Sequence, residues 1–295
     1  MDRTAGIIGL GLVGQALGAR LRAAGWTTLG LDLREQAGRA FREAGGNVSA
    51  SAAQLGRQAD CVILSVFDTN DVIALVEEQH GLLAEGHRVR TIIDCSTGDP
   101  SLLQPLGAQL QQRGIDFIEA PLSGSSEQIA AGQATMLLGG DGATIARCDA
   151  LLDAITTHRI HVGAAGMGAK AKLATNLVLG LNRAVLAEGM VFAQTLGIAP
   201  QEFLALVLAT PARSAAAEIK GPLMVREEFA PQSRIRQHLK DVELMLASAG
   251  EAGLPMPLSQ AHAALMRDAV AAGDGDLDNA AIIRQLRRAA GKEPK

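Results

Sequence analysis

The chain has 295 residues, 48% hydrophobic and 20% charged, with a formal net charge of −4. This suits one large or two ordinary globular domains and lacks the basic footprint of a nucleic-acid or anionic-membrane binder. With no Tyr and 2% aromatic residues, it has no base-stacking platform either.

The opening run, "AGIIGLGLVG", is too rich in glycine for a signal segment and flows into an amphipathic helix. No stretch of about 18 uncharged apolar residues follows. The expectation is a cytoplasmic protein with no membrane partner. In the first half, short apolar runs alternate with helical patterns. "TAGIIGL", "TTLGLDL", "ADCVILSVF", "RTIIDCS", "DFIEAPL", "QATMLLGG" and "THRIHV" predict strands. "GQALGARLRAAG", "EQAGRAFREAG" and "SLLQPLGAQLQQRG" predict helices. That alternation predicts βαβ units on a mainly parallel, doubly wound sheet of the α/β class. Asp68 and Asn70 read as helix caps.

Cys61, Cys95 and Cys148 form no CxxC and are expected as reduced, buried structural thiols. The six histidines form no HExxH or HxxxH pair, so no metal site is expected.

Near Gly163 the pattern changes. "GAAGMG" reads as a glycine-rich hinge, and no strand pattern follows it. The periodicity predicts one long helix over 167–197, roughly 45 Å at 1.5 Å per residue. Further helices are predicted over 200–209, 214–225, 235–252, 257–272 and 278–288. The chain is therefore expected to hold a Rossmann-like α/β domain over 1–163 and an all-α domain over 164–295.

Gly9, Gly11 and Gly14, with Leu10, Leu12 and Val13 between them, form a GxGxxG turn after the first strand and at the start of the first helix. The glycines allow a tight turn and close approach to a pyrophosphate, and the helix N-terminus supplies N–H groups for its phosphates. Asp32, followed by Leu33, stands at the end of the next strand, about 20 residues on. Its carboxylate favours NAD, because it accepts hydrogen bonds from the ribose and repels a 2′-phosphate. Arg34 leaves NADP possible.

"GLGLVGQALGARL", "DCSTGDP", "APLSGSSEQIAAGQATMLLGG", "GMGAKAKLATN" and "HLKDVELMLASAGEAGLPMP" occur in that order across nearly the whole chain. Together they resemble the β-hydroxyacid dehydrogenases, which include 3-hydroxyisobutyrate dehydrogenase and tartronate semialdehyde reductase. The resemblance implies that Lys172 is the catalytic lysine, four residues before Asn176. Helix geometry agrees, since i and i+4 share a face and Lys170 lies about 200° round from Lys172. It further implies that Ser123, Gly124 and Ser125 hold a substrate carboxylate. Thr97, Val66 and Phe67 would lie along the cofactor, and Lys240 of the Lys240-Asp241 pair would reach the site. Three features depart from the family pattern. Ser125 replaces a frequent glycine, Thr175 replaces the first of two asparagines, and Arg234 and Arg236 stand where apolar residues are usual.

The chemistry implied is hydride exchange between NAD(P) and a small β-hydroxy acid or its semialdehyde. A lysine suits the accompanying proton transfer when its surroundings bring its pKa from about 10.4 toward 7–8. Asn176 would orient the reacting group. An imine reductase and a catalytically silent NAD-binding scaffold share the architecture; the presence of Lys172 argues against the first, and retention of Lys172, Asn176 and Ser123 together against the second. The apolar helical half is expected to form a homodimer or homotetramer.

Overall fold

The strand β1 (Thr4–Ile8) and the helix α1 (Leu12–Ala23) open the computed structural model, which describes residues 3–291. The first unit continues through β2 (Thr27–Leu31), α2 (Glu35–Glu43), β3 (Asn47–Val48), α3 (Ala52–Gln58), β4 (Cys61–Leu64) and α4 (Thr69–Glu77). Then come β5 (Thr91–Asp94), α5 (Pro100–Gln112), β6 (Asp116–Glu119), β7 (Leu122–Ser123), α6 (Ser126–Ala130) and β8 (Thr135–Gly139). The helices α7 (Gly142–Arg147) and α8 (Asp149–Ile155) lead into β9 (Arg159–Gly163).

The strands form one sheet in the order β3-β2-β1-β4-β5-β6-β8-β7, with β9 beside β8. Pairing is parallel from β3 through β6 and again between β8 and β9; β8 runs antiparallel to β6 and β7. Consecutive apolar residues explain why this sheet is covered on both faces. Ile7, Ile63 and Ile93 enter one core with Leu17, Leu21 and Phe41. Their neighbours Ile8, Leu64 and Ile92 enter the opposite core with Val72, Leu103 and Leu110. Successive strand residues point to opposite faces, and each such side chain contributes about 1.5–3 kcal/mol on burial.

The long predicted helix is α9 (Met167–Thr195). The sequence boundary was expected near residue 163, and the compact units divide within α9, between Lys172 and Leu173. The first turns of α9 belong with the sheet for a polar reason. Glu119, at the end of β6, accepts the Gly166 N–H at 2.6 Å and the Gly168 N–H at 3.1 Å through Oε2. Lys172 Nζ donates to the Leu122 carbonyl at 2.7 Å.

The second unit holds the rest of α9 with α10 (Pro200–Ala209), α11 (Ala215–Arg226), α12 (Ile235–Glu251), α13 (Pro257–Ala271) and α14 (Ile282–Ala289). Its core gathers Leu186, Ala187, Met190, Met224, Val242, Met245 and Met266. By length and composition α9 could also cross a membrane. Its centre carries the buried Arg183 and packs Leu186, Ala187 and Met190 into the helical core.

Two local readings are corrected. Asp68 is the N-cap of α4, accepting the Asp71 N–H, whereas Asn70 lies inside the helix. With Asp68 already in the extended cap conformation, a second cap two residues on has no helix end to serve. The last helix, expected from 278, begins at Ile282 after a 3₁₀ turn, Asn279–Ala281. Asp278 is the N-cap of that turn. Of the cysteines, Cys95 is buried and Cys61 and Cys148 are half-buried; all three are free thiols. Burial pushes each thiol pKa up, which keeps them protonated and unreactive.

Gly180 on α9 leaves room for two histidines of the helical core. A Cβ there would sit 2.3 Å from His238 Nε2, and the His238 and His262 ring centroids are 5.5 Å apart. Burial, then the nearby Arg183 charge, lowers the His262 pKa from 6.5 to about 4. The folded state therefore resists protonation of this ring. The contribution is complete above pH 6.5 and is lost as the pH falls toward 4, by up to about 3 kcal/mol. Urea midpoints of the wild type and His262→Leu, measured from pH 7.5 to 4.5, should show the wild type losing stability relative to the variant as the pH falls. Parallel curves would refute this reading of His262.

Candidate active site

The turn between β1 and α1 is built around backbone contacts that exclude side chains. Gly9 has φ +90°, and a Cβ on it would lie 2.1 Å from the Ser65 carbonyl oxygen. A Cβ on Gly14 would lie 1.9 Å from the Gly9 oxygen. At Gly11 the space is open, the nearest atom to a Cβ being Arg34 Nη2 at 3.7 Å. Gly11 is also the N-cap of α1 and offers no side-chain cap. The first-turn N–H groups of Leu12 and Val13 thus remain available to an external acceptor, which is what a pyrophosphate requires. The cradle therefore fits a dinucleotide.

Asp32 closes one side of the cradle. Its Oδ2 accepts the Leu10 N–H at 2.7 Å, and its Oδ1 accepts the Arg34 N–H at 2.8 Å. The Arg34 guanidinium grips the same carboxylate, Nε to Oδ1 at 2.9 Å and Nη2 to Oδ2 at 2.8 Å. Burial acts to raise the Asp32 pKa, but the Arg34 and Leu10 hydrogen bonds outweigh it and hold the carboxyl below its ordinary value. Leu33 is fully exposed.

The loops after β4 and β5 are stitched together beside this cradle. Val66 N–H donates to Ser96 Oγ at 3.0 Å, and Ser96 N–H donates to Asp94 Oδ1 at 2.9 Å. Phe67 N–H donates to Asp71 Oδ2 at 3.3 Å, leaving the Phe67 ring about half exposed. Thr97 follows Ser96, partly exposed. These loops leave the carboxyl ends of parallel strands, where ligands bind in open α/β sheets. Ser96 escaped the sequence reading. Its signal was the "DCST" motif, in which only Thr97 was singled out.

Lys172 is 7% exposed, and its amine lies at the Leu122 carbonyl, next to Ser123 on β7. Gly124 follows with φ +152°, where a Cβ would crowd Ala134 Cβ at 3.0 Å. Ser125 is the N-cap of α6. Its Oγ accepts the Gln128 N–H at 3.3 Å, and Gln128 Oε1 accepts the Ser125 N–H at 2.8 Å. The serine that departs from the family glycine thus has a local task, and the capping box leaves its hydroxyl hydrogen and one lone pair uncommitted. Burial raises the pKa of Glu119, and the Gly166 and Gly168 N–H groups pull it back.

In the helical unit, Asn176 stands one turn beyond Lys172 on α9. Its Nδ2 donates to Asp241 Oδ2 at 3.1 Å, and Lys240 Nζ pairs with Asp241 Oδ1 at 3.1 Å. Asp241 is buried and holds both groups. Neither Arg234 nor Arg236 is left to solvent alone: both face Asp276, at 3.8 and 2.7 Å.

Comparison with known proteins places this geometry. Residues 4–165 match the NAD binding domain of 6-phosphogluconate dehydrogenase, and residues 166–286 match the NAD-binding domain of NADP-dependent 3-hydroxyisobutyrate dehydrogenase. The chain belongs to the β-hydroxyacid dehydrogenase family. This β-hydroxyacid dehydrogenase is 30% identical to L-threonate dehydrogenase of Cupriavidus necator, over 96% of each chain. It is 27% identical to 2-hydroxy-3-oxopropionate reductase of Escherichia coli, over 95% of this chain and 96% of that one. The crystal structure of 3-hydroxyisobutyrate dehydrogenase from Salmonella typhimurium superposes with a TM-score of 0.83 and 26% identity, covering 95% of this chain and 98% of that one. As a β-hydroxyacid dehydrogenase, the chain is an NAD(P)-dependent oxidoreductase acting on CH–OH groups of hydroxy acids.

Proposed function

We propose that the chain interconverts a small β-hydroxy acid and its semialdehyde or keto form, with Lys172 as general acid and base. The observation that carries this reading is the buried Lys172 amine, held at the Leu122 carbonyl beside Ser123 and Gly124. A buried amine is retained against its desolvation cost only where it has partners or a task. When bound, the nicotinamide accepts or supplies the hydride. In oxidation Lys172 Nζ takes the hydroxyl proton as hydride leaves the same carbon; in reduction it returns that proton to the carbonyl oxygen. Ser123 and the backbone at Gly124 and Ser125 anchor the carboxylate, which sets the distance from the carboxyl group to the reacting carbon. The family pattern assigns Asn176 and Lys240, both held by Asp241 in the helical unit, to the same reaction.

The anchor suits C3 to C6 acids, and the similarity to an L-threonate dehydrogenase supports four-carbon sugar acids within that class. The test follows reduced nicotinamide by absorbance across a panel of C3–C6 hydroxy acids, each with a matched alcohol lacking the carboxylate. Turnover of acids over their decarboxylated analogues by about two orders of magnitude is expected, from loss of a charge-assisted anchor. Equal turnover of both, or none with tight coenzyme binding, would remove the proposal; the second result would fit a silent scaffold. The same proposal includes a cytoplasmic homodimer or homotetramer. Val178, Val185 and Phe192 repeat every seven residues along α9 and remain exposed, a stripe that burial against a second copy would cover. Light scattering on the assay sample gives the mass, and a monomer would sink this part.

A further inference from the structure

Asp32 is the residue that should make this fold choose NAD, since a ribose diol donates to such a carboxylate and a 2′-phosphate is repelled by it. Here its acceptor positions are already committed. Oδ1 takes the Arg34 N–H and Nε–H, and Oδ2 takes the Leu10 N–H and Arg34 Nη2–H, all between 2.7 and 2.9 Å. An ionised carboxylate offers about four lone-pair sites, so no acceptor is left for a ribose hydroxyl while Arg34 stays closed. The exposures are lopsided too: the Arg34 side chain is 61% exposed and that of Asp32 is 7% exposed. The charge presented outward is therefore the guanidinium, and its Nη2 lies beside Gly11, over the phosphate turn.

We infer that Arg34 relaxes the coenzyme choice: closed on Asp32, it occupies the acceptors that NAD would use and cancels the charge that would turn away a 2′-phosphate. Guanidinium has five N–H donors, and the grip on Asp32 uses two of them. Those that remain can serve a 2′-phosphate without opening the pair. NAD binds only after the guanidinium swings off the carboxylate, and that opening offsets part of the ribose hydrogen-bond energy. The chain therefore accepts both coenzymes, and the pair Asp32–Arg34, rather than Asp32 by itself, is the specificity element. This rests on the dinucleotide site and is independent of the role given to Lys172.

The experiment measures dissociation constants for NADH and NADPH by nicotinamide fluorescence, without substrate, on the wild type, Arg34→Ala and Asp32→Asn. The NADPH/NADH ratio of dissociation constants should lie within about tenfold of one in the wild type, and rise by about tenfold or more in Arg34→Ala, the loss expected for a charged hydrogen bond. In Asp32→Asn, where the ribose loses its ionised acceptor, the ratio should fall by about as much. Arg34 is exposed at the start of α2, so its truncation leaves the fold intact; a melting curve checks this. A ratio that moves less than this in Arg34→Ala, or a wild type that already rejects NADPH by about a hundredfold, overturns the inference. Binding of neither coenzyme by the wild type would remove the cradle itself, a separate and distinguishable failure.

Discussion

Lys172→Ala is expected to lower kcat by about 10²–10⁴-fold, the range for loss of a general acid–base group. Coenzyme affinity and melting temperature should stay close to wild type. Lys172 is 7% exposed, and its amine donates to the Leu122 carbonyl. Removing a buried charge also removes its desolvation cost, so the lost hydrogen bond of about 1–3 kcal/mol is largely offset. Lys170 supplies the control. It is exposed and lies on another side of α9, so Lys170→Ala should keep turnover within a few-fold of wild type. The decisive comparison is the single-turnover rate of the two variants with saturating coenzyme. Should Lys172→Ala react as fast as Lys170→Ala, the amine is not the proton donor, and the family's reaction must draw its proton from elsewhere in this chain.

Asp278→Ala should give the largest loss of stability, about 3–5 kcal/mol, the range for breaking a buried ion pair from one side. Its side chain is fully buried and accepts Lys220 Nζ at 2.9 Å through both oxygens. It also accepts the N–H groups of Gln232, Ser233 and Ala280. Truncation takes the carboxylate from a buried ammonium and the acceptor from three N–H groups. A melting temperature lower by about 10 °C is expected on the scale of 2–4 °C per kcal/mol. Lys220→Met should cost clearly less, because Asp278 would keep its three backbone donors and the methionine replaces the buried lysine stem. Thermal melts of the two variants rank them. If Lys220→Met proves the more damaging, the carboxylate is not the centre of this network.

Much of the candidate site was legible in local spacing. The glycines of the cradle and Asp32 could be read because a strand, a tight turn and a helix N-terminus impose their requirements within a few residues. Lys172 and Asn176 could be paired because four residues is one helical turn. Glu119 was invisible, since the N–H groups it holds lie 47 and 49 residues away. Ser96 was passed over, and the capping task of Ser125 went unseen, for a related reason. Hydroxyls commonly close turns and caps, and which of them face a ligand depends on what the surrounding loops already use.

The sequence by itself determined the alternation of strand and helix, the positions of the buried apolar runs, the phosphate cradle and the long helix beyond residue 163. Those follow from backbone sterics and from periodic burial, which act over one or two turns of chain. Tertiary structure alone decided which polar groups meet: Lys172 with Leu122 across 50 residues, Asn176 with Asp241 across 65, Lys220 with Asp278 across 58. A polar group taken out of water must find a partner wherever packing brings one, and nothing in its own neighbourhood along the chain says which partner that is.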